Sequence, residues 1–245
     1  MYIIYMSVDK HDNAISISLF HFGFTRFYFR YLLKMDDDVV VDFIRIYQQA
    51  AEETEKSLDD ETRENTMFGY IQMGLPVQRS QGWKWALSKE EFDSDFHPTF
   101  LSGWAYVTTP NVARKLVKIS KEVSVLWIDD VWVTGILAGR ANIQLKSLNM
   151  FYTFYNEHIQ CCVFETRIEC DFLVGPSGNN LTVIRKYGEL SQRCSNENLL
   201  MLQDSGGNNS KRRCNRRKDV DSIIKNCHVQ NPYFLPRSQG IAEVF

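Results

Sequence analysis

The run Tyr31-Leu-Leu-Lys-Met is apolar apart from one lysine and breaks abruptly into three carboxylates, Asp36, Asp37 and Asp38. Such a run reads as a short buried strand, and Phe43, Ile46, Tyr47 and Ala50 after it recur at helical spacing, which predicts an amphipathic helix over 40–56. On a strand's continuation Asp36 and Asp38 point to the same side. Two carboxylates converging on one point repel unless a cation lies between them, and hard cations take oxygen ligands. Strand ends are also where open α/β sheets bind ligands. The alternative is a polar turn that caps the helix.

The same alternation continues downstream. FGYIQM (68–73) and the region around WKWAL (83–87) read as strands separated by Gly74 and Pro76. WAYVTT (104–109) is a further strand, and Thr109-Pro110 begins a helix with proline at its first position and an apolar stripe of Val112, Leu116, Ile119 and Val123. SVLWI (124–128) leads into Asp129-Asp130, VWVTGILAG forms a helix stopped at Gly139, and NIQLKSL (142–148) is another strand. Strands alternating with helices indicate an α/β layer architecture.

The 245 residues carry 28 Lys+Arg against 30 Asp+Glu, a net charge of −2, which removes any global electrostatic case for nucleic acid. No stretch reaches the length of about 18 apolar residues that a membrane-spanning helix needs, and the start lacks the basic region and small-residue cleavage site of a signal peptide. All six cysteines fall after residue 160, none paired at zinc-ribbon spacing. Asn180 and Asn208 begin glycosylation sequons. The pattern divides the chain into an atypical segment 1–30, a domain 31–194, and a polar tail 195–245 whose basic octet KRRCNRRK (211–218) reads as solvated, disordered chain.

Asp129-Asp130 is a second acidic site, at the start of a helix where free N–H groups favour an ionised carboxylate. An ionised Asp in a cleft can serve as general base toward a hydroxyl; a plain N-cap is the simpler reading. Gly103 beside Trp104 fits backbone approaching a ligand next to an aromatic platform, although Trp83, Trp85 and Trp104 taken singly read as core. His158 can be a metal ligand, though a lone histidine is normally structural.

Three segments in order, YLLKMDDDVVVD (31–42), KWALS (84–88) with HPTFLSGWAYV (97–107), and IDDVWVTG (128–135), resemble the beta-1,3-galactosyltransferase / N-acetylglucosaminyltransferase family of the Golgi. The resemblance covers 31–150 and implies an α/β GT-A-like fold, a mixed sheet flanked by helices, and inverting, metal-dependent transfer from a UDP-sugar. It places Mn²⁺ on Asp38, with His158 as a further ligand, and the donor on Asp36, Asp37 and Gly103. Asp130 becomes the catalytic base, with Trp104 and Asp129 on the acceptor side. The implied partners are UDP-galactose or UDP-N-acetylglucosamine and a glycan acceptor on glycoprotein or glycolipid. The implied location is the Golgi membrane with a lumenal catalytic domain, where some of Cys161, Cys162, Cys170 and Cys194 would be bridged. Only 35 residues precede Asp36 and they do not match the family's first half, so the uracil-binding strand and helix are expected to be missing or replaced, as in a truncated chain.

Two other readings compete. Asp36-x-Asp38-x-Val40 after a strand also fits aspartate-nucleophile phosphatases, but this leaves the Trp-rich and Ser-Gly-Trp blocks without a role. A catalytically inactive relative that binds glycans or partners would tolerate a short N-terminus, yet has no need of Asp36, Asp38 and Asp130 together.

Overall fold

A computed structural model describes residues 2–9, 14–19 and 31–203, apart from 57–58, 60–61, 63, 81 and 165–169; for 2–19 and 193–203 it describes the backbone alone. The six-stranded sheet has the order β2-β1-β3-β6-β5-β7. Its strands are β1 (Tyr2–Asp9), β2 (Ala14–Leu19), β3 (Leu32–Met35), β5 (Thr66–Gln72), β6 (Phe100–Thr108) and β7 (Gln144–Ser147). β1 runs parallel to β3 and β7 parallel to β5, while β3–β6, β5–β6 and β1–β2 are antiparallel, so the sheet is mixed. A two-stranded antiparallel pair, β4 (Val39–Val41) and β8 (Val174–Pro176), lies beyond the acidic turn.

The helices are α1 (Phe43–Glu55), α2 (Pro110–Ser120), α3 (Val131–Leu137, wound as a π-helix and continued by Ala138–Arg140), α4 (Asn156–Phe164) and α5 (Leu181–Gln203). Strand alternation sends neighbours to opposite faces. Leu32, Met67 and Leu101 pack with Val112 and Leu116 of α2 and Trp132 and Leu137 of α3. Leu33 and Phe68 pack on the other side with Ile46 and Ala50 of α1 and with Tyr152. A third cluster, around Val40, Ile159, Phe172 and Tyr187, fastens α4 and α5 to the β4–β8 pair. The α/β layers expected from the sequence are therefore present.

Several expectations change in detail. The helix predicted over 40–56 begins at Phe43, because Val39–Val41 form β4 and Asp42 caps the helix, its carboxylate accepting from Arg45 N at 3.0 Å. The strand expected near 83–87 is a loop. Arg79 donates to the carbonyls of Leu87, Ser88 and Ser94 there, satisfying the backbone without a ladder, and Trp85 stacks on Trp127. Trp83, read as core, is 45 % exposed on that loop. The Thr109-Pro110 helix start is present, with Thr109 Oγ1 accepting from Val112 N, but α2 ends at Ser120, short of Val123. Gly139 lies within the helix it was expected to stop.

The N-terminal segment, set off as atypical by its sequence, contributes β1 and β2 to one edge of the sheet. α5 continues through residue 194, the expected end of the domain, as far as Gln203. The basic octet 211–218 and the Asn208 sequon lie outside the described residues. No helix among the described residues is long and apolar enough to cross a membrane. Cys162 is bridged to Cys170, and Cys161 is disulfide-bonded as well.

Candidate functional site

The site gathers where β3 ends against β6. Register pairs Lys34 with Tyr106 and Met35 with Ala105, and Asp36 N donates to Trp104 O at 3.0 Å, so the acidic turn begins directly beside Gly103 and Trp104. Alternation along β6 then separates those two neighbours. Gly103 faces a cavity of about 140 Å³ with Lys34, Asp36, Asp129 and Asp130. Trp104 faces a second pocket of about 290 Å³, where it packs on Phe154 at 5.0 Å and shares the wall with Asp38, Glu157 and Gly178.

Lys34 organises the first cavity. Its buried ammonium donates to Asp36 Oδ1 at 2.6 Å and to the Gly103 carbonyl at 2.6 Å, and stands 3.7 Å from Asp129 Oδ2. Burial pulls this ammonium down, but Asp36, Asp129 and Asp130 together hold it above the usual lysine value, so it stays charged. Burial raises the Asp36 carboxyl against the pull of Lys34. The cation thus joins the DDD turn to the Asp129-Asp130 pair. Sequence reading overlooked Lys34; the available signal was a lysine inside an otherwise apolar strand immediately before three carboxylates.

Asp130 is placed with comparable care. Its Oδ2 accepts from Gly103 N at 3.0 Å and its Oδ1 from Val131 N at 2.9 Å, which aims the carboxylate at the cavity. Burial, followed by the adjacent Asp129, raises its pKa to about 6, while the two N–H groups and Lys34 oppose the rise. A carboxylate poised near neutrality in a cavity wall can take a proton from a hydroxyl and release it to solvent afterwards, and it loses this capacity as pH falls and it becomes protonated. A Cβ on residue 103 would stand 3.3 Å from Lys34 Nζ and 3.4 Å from Asp130 Oδ2, so glycine permits this approach.

α3 is docked by its own motif. Thr134 Oγ1 donates to the Asp130 carbonyl at 2.6 Å and accepts from Leu101 N at 2.8 Å. A Cβ on Gly135 would come within 2.9 Å of Pro98 and 3.2 Å of Phe100. The segments 97–107 and 128–135 are therefore two halves of one contact, and that contact sets Asp130 against Gly103.

Of the sequence-predicted residues, Asp36, Gly103, Asp129 and Asp130 come together in the first cavity and Asp38 and Trp104 in the second. Asp37 is exposed on the turn between them. His158 is buried in α4, stacked on Phe172 at 5.1 Å with Nδ1 2.6 Å from Thr153 Oγ1, and it does not line the Asp38 pocket. Among the described residues no three His, Cys, Asp or Glu side chains are grouped to hold an ion by themselves. Asp38, exposed at the pocket wall, is a carboxylate of the kind hard cations take as a ligand.

The family model described as galactosyltransferase matches residues 9–149. Human beta-1,3-galactosyltransferase 5 is 28 % identical over 145 residues, covering 58 % of this chain and 44 % of its own length. Human beta-1,3-galactosyltransferase 2 is 29 % identical over 108 residues, 44 % of this chain and 24 % of its own. Beta-1,3-galactosyltransferase bre-2 of Caenorhabditis elegans is 35 % identical over 71 residues, 28 % of this chain and 20 % of its own. The chain thus spans less than half the length of these curated relatives. The matched region begins upstream of the 31–150 expected from the motifs and takes in the last residue of β1 and all of β2. Since that match holds over more than half of the residues and contains all three motifs that build the site, the chain belongs to the galactosyltransferase family, with the beta-1,3-galactosyltransferases as its relatives.

Proposed function

We propose that this chain transfers galactose from a UDP-sugar to a hydroxyl of a glycan acceptor, forming a beta-1,3 linkage with inversion. The observation that carries the proposal is the Asp130 carboxylate, held by the Gly103 and Val131 N–H groups in a cavity across β6 from the pocket bordered by Asp38. The donor's diphosphate would lie at Asp38 and its hexose would reach past Asp36 and Gly103 into the Asp130 cavity, where the acceptor meets it beside Asp129; Trp104, on the Asp38 side, would then border the donor rather than the acceptor. Asp130 takes the proton of the acceptor hydroxyl, whose oxygen bonds to the anomeric carbon as the bond to UDP breaks and UDP departs with the electron pair. Attack from the face opposite the leaving group inverts an α-linked donor to a β-linked product.

Lys34 keeps Asp36 and Asp129 from repelling one another and holds the Gly103 carbonyl, so that the neighbouring N–H stays on Asp130. A divalent ion on Asp38, Mn²⁺ by family resemblance, would supply Lewis-acid stabilisation of the diphosphate charge. His158, buried and off that pocket's wall, is left out of the proposed ligand set. UDP-galactose is favoured over UDP-N-acetylglucosamine because the relatives are named galactosyltransferases, while a glycoprotein or glycolipid acceptor and the Golgi membrane are carried over from the motif resemblance. The Cys162–Cys170 disulfide supports a lumenal setting, since disulfides persist in oxidising compartments.

Calorimetric titration of UDP with Mn²⁺ and then with EDTA, joined to a transfer assay on Asp130→Asn, tests the proposal. Metal-dependent UDP binding retained in a variant that no longer transfers supports it. Transfer surviving in the variant overturns the role of Asp130. A folded chain that binds no UDP in either condition overturns the activity and leaves the inactive relative.

A further inference from the structure

The sequon Asn180-Leu181-Thr182 is a motif for which the transfer chemistry has no use. It opens α5, directly after a turn in which Gly178 and Asn179 take φ values of 62° and 57°. Ser177, at the base of this turn, is buried and donates through both its N–H and its hydroxyl to the Asp38 carbonyl. Gly178 through Thr182 are all exposed. The sequon therefore projects into solvent from an anchored base.

Asn180 is the N-cap of α5, its Oδ1 accepting from Thr182 N at 3.0 Å and from Val183 N at 3.3 Å. Capping occupies the oxygen alone, and Nδ2 has no hydrogen bond among the described residues. The amide nitrogen can thus carry a substituent while the oxygen goes on capping the helix. A cap asks nothing of the side chain two residues on, yet the threonine that completes the sequon is exposed there, and its hydroxyl likewise has no partner among the described residues. Leu181 between them is 77 % exposed, the highest value of any large apolar side chain among the described residues, and the C–H face of an attached sugar would cover it. A helix cap accounts for Asn180 and leaves Leu181 and Thr182 without a role; a glycosylated asparagine accounts for all three.

We propose that Asn180 is an N-glycosylation site, modified from an oligosaccharide carried on a lipid diphosphate. Nδ2 bonds to the anomeric carbon of the first sugar as that carbon's bond to the diphosphate oxygen breaks. The lipid diphosphate leaves with the electron pair and the amide gives up one proton to solvent. The proposal rests on the lumenal setting inferred above, so the test supplies that setting independently. The second sequon, at Asn208, lies outside the described residues and is removed by Asn208→Gln in every chain compared.

The full chain is made in animal cells behind a cleavable secretory signal, and the product is digested with N-glycanase in heavy-oxygen water. One glycan should be released from most molecules, and residue 180 should be recovered as aspartate carrying one heavy oxygen. Thr182→Ala and Asn180→Asp should each abolish the gel shift, whereas Thr182→Ser should keep it. Both abolishing variants retain a capping oxygen at residue 180, so their melting temperatures should match that of the N-glycanase-treated chain. A chain with its Cys162–Cys170 bridge oxidised but Asn180 unmodified would overturn the proposal, as would a shift that survives Thr182→Ala. If the endogenous protein lies outside the secretory pathway while the signal-led chain is modified at Asn180, the lumenal reading fails and the competence of the site stands.

Discussion

Asp130→Asn should make the protein more stable at neutral pH while ending transfer. Burial, then Asp129, holds the Asp130 carboxyl at about 6 in the fold against 3.8 for the free side chain. Between those values the native state binds a proton that the unfolded chain does not, so stability falls as pH rises through this window. Above it the whole cost is present, and a gap of about 2 pKa units corresponds to roughly 3 kcal/mol. Asparagine cannot ionise and keeps one oxygen for Gly103 N–H or Val131 N–H but not both, which returns about 1 kcal/mol. The net gain at about pH 7.5 is then roughly 2 kcal/mol, or about 4–8 °C in melting temperature for a chain of this size. At about pH 4 it should vanish or change sign, because the native carboxyl is protonated there. Thermal melts of both proteins at the two pH values provide the assay. An equal difference at both, or a less stable variant at about pH 7.5, would refute the argument that burial raises this carboxyl. In the active protein, kcat/KM should fall as pH drops below about 6, approaching tenfold per pH unit.

Lys34→Met should cost about 2–3 kcal/mol in urea titrations, because it strands Asp36 and the Gly103 carbonyl, and should move the acidic limb of the pH–rate profile upward by removing a cation that lowers Asp130. Gly135→Ala should destabilise by about 1–3 kcal/mol, since its Cβ meets Pro98 at 2.9 Å, and a stability measurement showing a gain would refute the close docking of α3 on 98–101. Cys162→Ser should lower stability by about 2–3 kcal/mol in denaturant titrations of the oxidised protein, from the loop that the Cys162–Cys170 bridge closes.

The sequence by itself determined the alternation of strands and helices, because apolar period and breakers are local properties: β3, β5 and the DDD turn lie where the pattern put them, while β6 starts earlier, at Phe100, and α2 stops earlier, at Ser120. Its ordered motifs also singled out Asp36, Asp129 and Asp130, which the fold brings to one cavity. The loop at 83–87 escaped that reading because its backbone is satisfied by Arg79 rather than by a neighbouring strand, and a side chain's choice of carbonyl is not periodic. Only the tertiary structure decided how the site is divided. Gly103 and Trp104 are adjacent in sequence, yet strand alternation sends one toward Asp130 and the other toward Asp38. The joining of the acidic motifs through Lys34 and the burial that poises Asp130 depend on distances between residues far apart in the chain. Such distances exist only once β3, β5 and β6 are paired and α3 is packed against them.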